Sequence, residues 1–554
     1  MQATPVSVTQ YFDGAKQNVV PLFQRTYSWQ RKHWNALWQD ILDLCDRGAN
    51  ATHFMGAIVS LPVRAVPVGV NKHLIVDGQQ RLTTLAVLLC AIRDSVVDNQ
   101  IRERVRALIV NEHYDGTDRL KLLPTQGDRD VFCRLALDEL TVAEAHNVRT
   151  AYQFFRDCLA SRDNNGDRVD PEKVFDILQC SLQVVMISLN DSDDPYLIFE
   201  SLNYKGQPLT QTDLIRNYVL MRYRHGLGEG GEHDRIYNDY WLPIEHLLNS
   251  DIEEFLRHYA MKDGRKIGRS GIYTAIKRRF EELGDEADIE PELQSMLNHA
   301  GYYRRFLNGD DEPDGELRVS LEAVRELSRG AAYPLMLRAF ESHDNGMLSS
   351  EDLRRVVGTI ESFMVRRAVC DVPTNTLNRT FEGLARDFSS VDTAEWLIAS
   401  LLNGDWPRRW PDDEEFRREL TESPQYGRNT KLVGFVLKRI EHELDRLEPI
   451  NLEHTTIEHV MPQTLTPHWT AMLGQRYQDV HRRALHTLGN LTLTGYNGEL
   501  GNLPFNDKKE RLSTSPLRLN SWITEQETWT ADVIAERAQH LAEIALRLWS
   551  RPHV

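Results

Sequence analysis

The chain has 554 residues, of which 41% are apolar and 27% are charged, and this composition predicts a globular protein with several domains. Its net charge of −17 argues against a protein that coats nucleic acid with its whole surface, although a local basic groove is compatible with that charge. We expect no membrane partner and a cytoplasmic location, because long apolar runs are missing and residues 1–10 lack a signal-peptide layout.

The first polar stretch follows a short extended segment near the start of the sequence. Residues 19–29 read Val-Val-Pro-Leu-Phe-Gln-Arg-Thr-Tyr-Ser-Trp, and helical spacing of apolar residues begins near Gln30. Gln24 and Arg25 lie beside the aromatic residues Tyr27 and Trp29. This mixture would suit a segment that stacks on a base and binds a phosphate. The alternative is that both aromatic residues belong to the core and that Arg25 is a surface ion-pair partner.

Two strands are predicted next, over residues 53–61 and 72–76, and the second leads into the motif Asp77-Gly78-Gln79-Gln80-Arg81. Apolar residues then recur at helical spacing from residue 82 to residue 92. The pattern predicts a strand, a tight turn and a helix. The N–H groups of the first helical turn would bind an anion, and Arg81 would add a bidentate contact to a phosphate. The alternative is a capping box, in which Asp77 and Gln80 only close the helix end.

Helices are predicted from residue 85 to about residue 181, followed by a buried strand over residues 182–189. Asp213, Arg216 and Asn217 then share one helix face, by the spacing of three to four residues. They either complete a site with the Asp77–Arg81 motif or form an internal salt bridge, and spacing alone favours the salt bridge. Residues 234–445 are predicted to be helical and show no catalytic pattern, which is typical of a spacer.

The C-terminal part carries a second group of chemically active residues. A strand and turn over residues 455–463 hold Glu458 and His459, a second strand over 488–494 holds Asn490, and Asn497 precedes a helix with two lysines. A carboxylate beside a histidine suits phosphodiester cleavage: Glu458 would hold a divalent cation, His459 would activate water, and Asn490 would orient the imidazole.

Some alternatives in this region stay open. Glu453-His454 is a second Glu-His pair, but only Glu458-His459 is followed by a Val-x-Pro turn, so we favour the latter. His481 and His486 lie between the two strands, where they would be either additional metal ligands or, as we favour, surface histidines.

Taken jointly, these motifs resemble those of GmrSD-type restriction proteins. The segments Pro21-x-Phe23-Gln24-Arg25-x-Tyr27-x-Trp29, Asp77 to Thr83 and Phe199-Glu200-x-Leu202-Asn203-x-x-Gly206 are similar to a ParB/sulfiredoxin-like domain. Ile457-Glu458-His459-x-x-Pro462 and Leu488 to Leu493 are similar to an HNH nuclease domain. The resemblance implies a predominantly helical α+β protein with a ParB/sulfiredoxin-like α/β domain (1–233), a helical spacer (234–428) and a ββα-metal HNH domain (429–554).

The same resemblance implies the activity. The first domain would bind and hydrolyse a nucleoside triphosphate (GTP, ATP or UTP), and the second would cut or nick double-stranded DNA during type IV, modification-dependent restriction of phage. Phosphorothioate-sensing nicking effectors of Ssp-type defence are related proteins and give the alternative. Carboxylate and amide ligands favour Mg²⁺ or Mn²⁺ over zinc. A homo-oligomer is left open.

Carried over by position, the resemblance assigns four groups of residues. The catalytic residues would be His459, Asn490, Asp77 and Arg81. The nucleotide-binding residues would be Gly78, Gln79, Gln80, Arg81 and Thr83. The metal ligands would be Glu458 and Asn497. The residues that sense modified DNA would be Phe23, Gln24, Arg25 and Tyr27.

Three functions are therefore compared: a nucleotide-regulated endonuclease, a modified-DNA sensor whose nuclease is weak or vestigial, and a nucleotidase for which DNA is only a cofactor. We favour the first, because two separate polar groups are joined by a long helical spacer.

Overall fold

A computed structural model describes the chain at residues 2–21, 24–47, 51–63, 69–139, 146–162, 166–190, 193, 198, 210–221, 232–283, 288–328, 330–444, 451–452, 454–495 and 500–552. Phe23, the Phe199–Gly206 motif, Glu453 and Asn497 lie outside the described residues. The predicted class, α+β and predominantly helical, is confirmed. The chain forms two compact units, Met1–Leu256 with Gly268–Leu297 and Arg257–Ile267 with Asn298–Val554. The three predicted domains, with limits at residues 233 and 428, stay a prediction.

The first unit contains a mixed sheet, which the described residues build from six strands. They are β1 (Gln2–Ser7), β2 (Lys16–Val19), β3 (His53–Pro62), β4 (Asn71–Asp77), β5 (Leu122–Leu123) and β6 (Leu182–Ser188). Their order is β1-β6-β3-β4-β2-β5. The strands predicted over 53–61, 72–76 and 182–189 are confirmed as β3, β4 and β6. Strand β4 pairs antiparallel with β3 and parallel with β2, so its carboxyl end lies in the middle of the sheet.

Helix α3 is the central helix of this unit. The helices up to β6 are α1 (Val8–Phe12), α2 (Arg31–Arg47), α3 (Gln79–Arg93), α4 (Asn99–Ala107), α5 (Gln126–Ala136), α6 (Asn147–Leu159) and α7 (Pro171–Cys180). Nearly all of α3 is buried, and it contacts α4, α5, α6, α7 and β3. A helix that is apolar on all sides is buried on all sides. The surrounding elements therefore enclose α3 and fix the position of its first turn.

Helices then follow as the sequence predicts. They are α8 (Gln211–Met221), α9 (Glu232–Ile236), α10 (Leu242–Leu248), α11 (Ile252–Met261), α12 (Ile272–Glu281), α13 (Ile289–Leu307), α14 (Gly315–Ser328), α15 (Tyr333–Asp344), α16 (Ser350–Val369), α17 (Leu377–Arg386), α18 (Thr393–Leu402), α19 (Asp413–Glu422) and α20 (Thr430–Glu443). Every helix among the described residues is too short or too polar to cross a lipid bilayer.

A two-stranded hairpin interrupts the helices of the second unit. Its elements are β7 (Thr456–His459), α21 (Pro467–Leu473), α22 (Tyr477–Ala484), β8 (Leu491–Thr494), α23 (Phe505–Ser513), α24 (Ser521–Thr524) and α25 (Ala531–Leu548). Strands β7 and β8 pair antiparallel, with Glu458 opposite Thr492 and His459 opposite Leu491. Leu491 and Leu493 are buried with apolar residues of α20 and α25, so one face of the hairpin is anchored in the core.

Candidate functional site

The predicted strand, turn and helix are confirmed at Asp77–Arg81. Strand β4 ends at Asp77, and Gly78 is the N-cap of α3 with a φ of +93°, a left-handed conformation that glycine adopts without steric cost. No side chain caps this helix end, so the capping-box alternative is wrong. Asp77 instead accepts a bond from Arg81, whose Nη2 lies 3.3 Å from its Oδ2, and Gln80 bonds to another segment. The first-turn N–H groups of α3 are therefore not used by a side-chain cap.

Gln79 and Gln80 hold the preceding polar segment in place. Nε2 of Gln79 donates to the carbonyl of Arg25 at 2.6 Å, and Nε2 of Gln80 donates to the carbonyl of Thr26 at 3.2 Å. Oε1 of Gln80 accepts a bond of 2.8 Å from the backbone N–H of Ser28. The two amides therefore fix the backbone of residues 25–28 against the start of α3.

Gln24 and Tyr27 point into the protein. Gln24 is 7% exposed, and its Nε2 donates to the carbonyl of Ile75 at 2.8 Å. Tyr27 is 4% exposed; its hydroxyl lies 2.7 Å from Oγ1 of Thr84 and accepts a 2.7 Å bond from Nε1 of Trp34. Tyr27 is therefore a core residue, as the alternative predicted. In this arrangement neither Gln24 nor Tyr27 exposes a surface on which a base could stack.

Charged groups converge beside this segment. Arg25 is half-buried, and burial lowers its pKa, while the carboxylates of Asp213 and Asp77 act in the opposite direction. Nη2 of Arg81 donates to the carbonyl of Ala57 at 2.6 Å. The predicted salt bridge inside α8 is confirmed, since Arg216 lies 2.6 Å from Asp213. That this helix completes a site with the Asp77–Arg81 motif stays a prediction.

Two buried atoms of the motif have no hydrogen-bond partner among the described residues. They are Oε1 of Gln79 and Nε of Arg81, one acceptor and one donor. Buried polar atoms are normally paired, so an unpaired acceptor and donor next to an uncapped helix end are open to a polar ligand. Thr83 lies one helical turn after Gln79 and is 4% exposed.

In the second unit, Glu458 of β7 forms a buried ion pair with Lys508 of α23. Nζ of Lys508 lies 2.6 Å from Oε1 of Glu458 and 2.7 Å from the carbonyl of His459, and the lysine side chain is 0% exposed. Burial raises the pKa of Glu458 and lowers the pKa of Lys508, and their attraction opposes both shifts. The helix after the hairpin is thereby attached to the strand that carries His459.

This ion pair decides how well the site suits a metal ion. One oxygen of Glu458 is bonded to an ammonium group, and the described residues contain no group of three His, Cys, Asp or Glu side chains able to hold a metal. Glu458, the first predicted ligand, is thus engaged by Lys508, and the second predicted ligand, Asn497, lies outside the described residues.

His459 is a largely buried, neutral imidazole. Its Nε2 lies 3.1 Å from Nδ1 of His486, and its Nδ1 lies 3.4 Å from Nε2 of Gln463. Burial, and then the charge of His486 and Lys508, lowers the pKa of His459 to about 4. The ring is therefore unprotonated at neutral pH, which is the form that accepts a proton.

Asn490 uses all of its hydrogen-bonding capacity on other groups. It is 0% exposed; its Oδ1 accepts from the N–H of Met461 at 2.8 Å and from Nε1 of Trp529 at 3.0 Å. Its Nδ2 donates to the carbonyls of Met461 and Leu485 at 3.0 and 2.9 Å. Asn490 makes no direct bond to the imidazole of His459, because its side chain is saturated in fixing the turn after β7, and its orienting role stays a prediction.

Helix α25 holds the turn that contains Asn490. A Cβ atom on Gly489 would lie 2.1 Å from the carbonyl oxygen of Ile534, so only glycine allows this approach of turn and helix. Nη1 of Arg537 donates to the carbonyls of Gly489 and Leu491 at 2.8 and 2.6 Å. Burial lowers the pKa of Arg537 to about 9. The turn, and with it the hairpin, is thus fixed by a helix that follows much later in the chain.

Comparison with known families matches both ends of the chain. Residues 8–220 match the GmrSD restriction endonuclease N-terminal domain, and residues 410–544 match the GmrSD restriction endonucleases C-terminal domain. Together the two matches cover more than half of the chain. It belongs to the GmrSD restriction endonuclease family. As a member it is a restriction endonuclease with DNA as its substrate. A search of curated proteins found no match.

The two GmrSD matches contain the two polar clusters, but sequence reasoning did not recognise every residue in them. His486 was favoured as a surface histidine, whereas the structure pairs it with His459. The sequence did carry one signal for His486, which is its position four residues before the predicted site residue Asn490. Tyr426, whose ring packs edge-on against His459 at 4.6 Å between centroids, gave no signal, because it lies on a different part of the chain.

Proposed function

We propose that this GmrSD protein is a nucleotide-regulated, metal-dependent DNA endonuclease of bacterial anti-phage defence that recognises modified DNA, which is type IV restriction. The observation that supports it best is the imidazole of His459, which lies 3.1 Å from Nδ1 of His486 on a hairpin inside the region matched by the family's C-terminal domain. The cytoplasmic location remains a prediction, and the oligomeric state stays open.

His459 is the proposed general base of DNA cleavage. The unprotonated imidazole takes a proton from the attacking water, and Asn490 supports it indirectly by fixing the turn that follows β7. Removing a general base typically lowers a rate by about 10²–10⁴-fold, so the proposal requires a large loss in a His459 variant.

The proposed cofactor for cleavage is Mg²⁺ or Mn²⁺, with Glu458 and Asn497 as candidate ligands. Glu458 is bonded to Lys508, so this part of the proposal depends on ligands beyond the described residues. Titration with EDTA and replacement by either metal test it directly.

The proposed nucleotide site lies at the start of α3. The unpaired Oε1 of Gln79, the unpaired Nε of Arg81 and the uncapped first turn support a polar, anionic ligand there, among them GTP, ATP or UTP. Asp77, Gly78, Gln80 and Thr83 complete the motif. Arg81 and Asp77 are the proposed catalytic residues of hydrolysis.

The proposed sensing segment consists of Phe23, Gln24, Arg25 and Tyr27. The buried positions of Gln24 and Tyr27 favour Arg25 as the residue that meets the DNA, and Gln79 fixes its backbone carbonyl. An arginine suits a phosphate or a modified base edge because its planar group donates several hydrogen bonds.

A plasmid-cleavage screen tests the proposed function. Unmodified, glucosylated, hydroxymethylated and phosphorothioated DNA are incubated with the protein and magnesium, with and without nucleotide, and His459→Ala is the matched variant. We expect modified DNA to be cut only by the wild type and to be cut faster with nucleotide. Equal products from the wild type and from His459→Ala would rule out the proposed base.

A second candidate is a sensor of modified DNA whose nuclease is weak, or a phosphorothioate-sensing NTPase that only nicks. The observation that favours it is the Lys508–Glu458 pair, which occupies a carboxylate expected to bind metal. Nicked circles without linear product, together with tight binding of one modified DNA at fixed salt, would support this candidate.

A further inference from the structure

The imidazole of His459 is bonded at both of its nitrogens. Nε2 faces Nδ1 of His486 at 3.1 Å, and Nδ1 faces the amide Nε2 of Gln463 at 3.4 Å. A neutral imidazole has one N–H donor and one lone pair, and an amide nitrogen is only a donor. A proton on Nε2 of His459, directed at Nδ1 of His486, and a lone pair on its Nδ1 satisfy both contacts.

His486 is itself held from two sides. Its carbonyl accepts backbone bonds of 2.7 Å from Gln425 and 3.2 Å from Tyr426. The ring of Tyr426 stacks on the ring of His486, with centroids 5.6 Å apart and an angle of 18° between the planes. The acceptor that faces His459 is thus fixed by a segment outside the hairpin, before any ligand binds.

We propose that His486 is a positioning residue for DNA cleavage: its Nδ1 accepts the N–H of His459 Nε2 and keeps the lone pair of His459 on Nδ1, where the attacking water takes the place of the exposed Gln463 amide. This inference rests on the proposed nuclease function and assigns to His486 the orienting role that the sequence gave to Asn490. Which nitrogen of a histidine acts is set by the bond that the other nitrogen makes.

The proton and bond changes are then defined. Nδ1 of His459 takes a proton from water while the water oxygen forms a bond to phosphorus, and the bond from phosphorus to the leaving nucleoside oxygen breaks. That oxygen takes a proton from solvent. Nε2–H of His459 keeps donating to His486 throughout, so the imidazolium that forms is still hydrogen-bonded.

Two substitutions separate this role from simple packing. His486→Leu removes the acceptor, whereas His486→Asn places Oδ1 at the same point along the side chain as Nδ1. We expect kcat for cleavage to fall about 10²-fold in His486→Leu with unchanged DNA affinity, and His486→Asn to recover most of that loss. His468→Asn, at an exposed position on α21, is the matched control and keeps the wild-type rate.

A wild-type rate in His486→Leu would overturn the proposal. So would a His486→Asn variant that folds and binds DNA like the wild type but cleaves as slowly as His486→Leu. Thermal unfolding of both variants identifies a loss caused by misfolding.

A spectroscopic measurement tests the tautomer without any cleavage assay. Magic-angle-spinning NMR of the full chain with ¹⁵N-labelled histidine, assigned by difference from His459→Gln, reports which ring nitrogen carries the proton. We expect the Nε2–H form in the wild type and a mixture of tautomers in His486→Leu. The Nδ1–H form in the wild type would refute the proposal. If the wild type cuts no DNA but shows the Nε2–H form, the nuclease assignment fails and the histidine pair stands.

Discussion

The two polar clusters use similar residues in different ways. At the start of α3, the amides of Gln79 and Gln80 bond mainly to backbone groups of residues 25–28, and the charged groups lie around them. On the hairpin, Asn490 bonds mainly to backbone groups, whereas Lys508 bonds to Glu458 as well as to a backbone carbonyl, and the ring of His459 faces the ring of His486. In both clusters, amide side chains fix the backbone, and the second cluster adds a buried ion pair to them.

The first test of this comparison removes the ammonium of the buried ion pair. In Lys508→Met, the carboxylate of Glu458 loses its partner inside the protein, which typically costs about 3–5 kcal/mol of stability. Urea denaturation should show this loss, and the double variant with Glu458→Gln should recover part of it. Lys509→Met is the neighbouring control, since the half-buried ammonium of Lys509 bonds to a neutral group, the carbonyl of Gln526. Equal stability of the two single variants would contradict the assigned pair.

The second test addresses the charged part of the first cluster. Arg81→Ala should slow triphosphate hydrolysis by about 10²-fold, because one preorganised donor to a developing negative charge is lost. Steady-state release of phosphate measures this, and Arg81→Lys should stay well below the wild type because it lacks the planar group. Arg47→Ala, at a side chain that is 69% exposed on α2, should hydrolyse normally. If Arg81→Ala hydrolysed triphosphate at the wild-type rate, Arg81 would have no catalytic role in the hydrolysis.

The third test addresses the amide scaffold. Gln80→Leu leaves the N–H of Ser28 and the carbonyl of Thr26 without their bonds, which should cost about 2 kcal/mol of stability. Gln153→Leu, on the exposed face of α6, should change stability by less than about 0.5 kcal/mol. Urea denaturation of both variants is the measurement. A Gln80→Leu variant of wild-type stability that no longer binds nucleotide would assign Gln80 to the ligand instead.

The smallest expected effect belongs to Tyr27. Tyr27→Phe removes a buried hydroxyl that bonds to Thr84 and Trp34, which should lower stability by about 1 kcal/mol. Tyr114→Phe is the control, and we expect no measurable change for it. Unchanged stability of Tyr27→Phe would argue that Tyr27 is not held in the core and would restore it as a candidate for base stacking.

Much of the fold follows from local patterns in the sequence. Strands β3, β4 and β6 and the helix after Asp77–Arg81 are each marked by apolar periodicity and turn residues a few positions away. Strand β1 was not predicted, because it lies at the sheet edge, is partly exposed and pairs only with the distant β6.

The arrangement of the candidate sites was less predictable. The capping-box pattern of Asp77 and Gln80 was a reasonable local reading, but Gln80 bonds to a segment about fifty residues earlier, which local spacing does not show. His459 and Lys508 were both noticed in the sequence. Their partners, His486 and Glu458, depend on how the hairpin pairs and where α23 packs, and such contacts arise only in the folded protein.

The contact of Gly489 and Arg537 across the turn has a consequence for synthesis of the protein. The ribosome makes His459 and Asn490 well before it makes α25, and until Arg537 emerges, the carbonyls of Gly489 and Leu491 lack the donor that binds them. A nascent chain therefore carries the proposed DNA-cutting residues without the support that orders them. If His459 is the base of cleavage, as proposed, a chain truncated before Ala531 should lack the bonds that fix its turn and should not cut DNA.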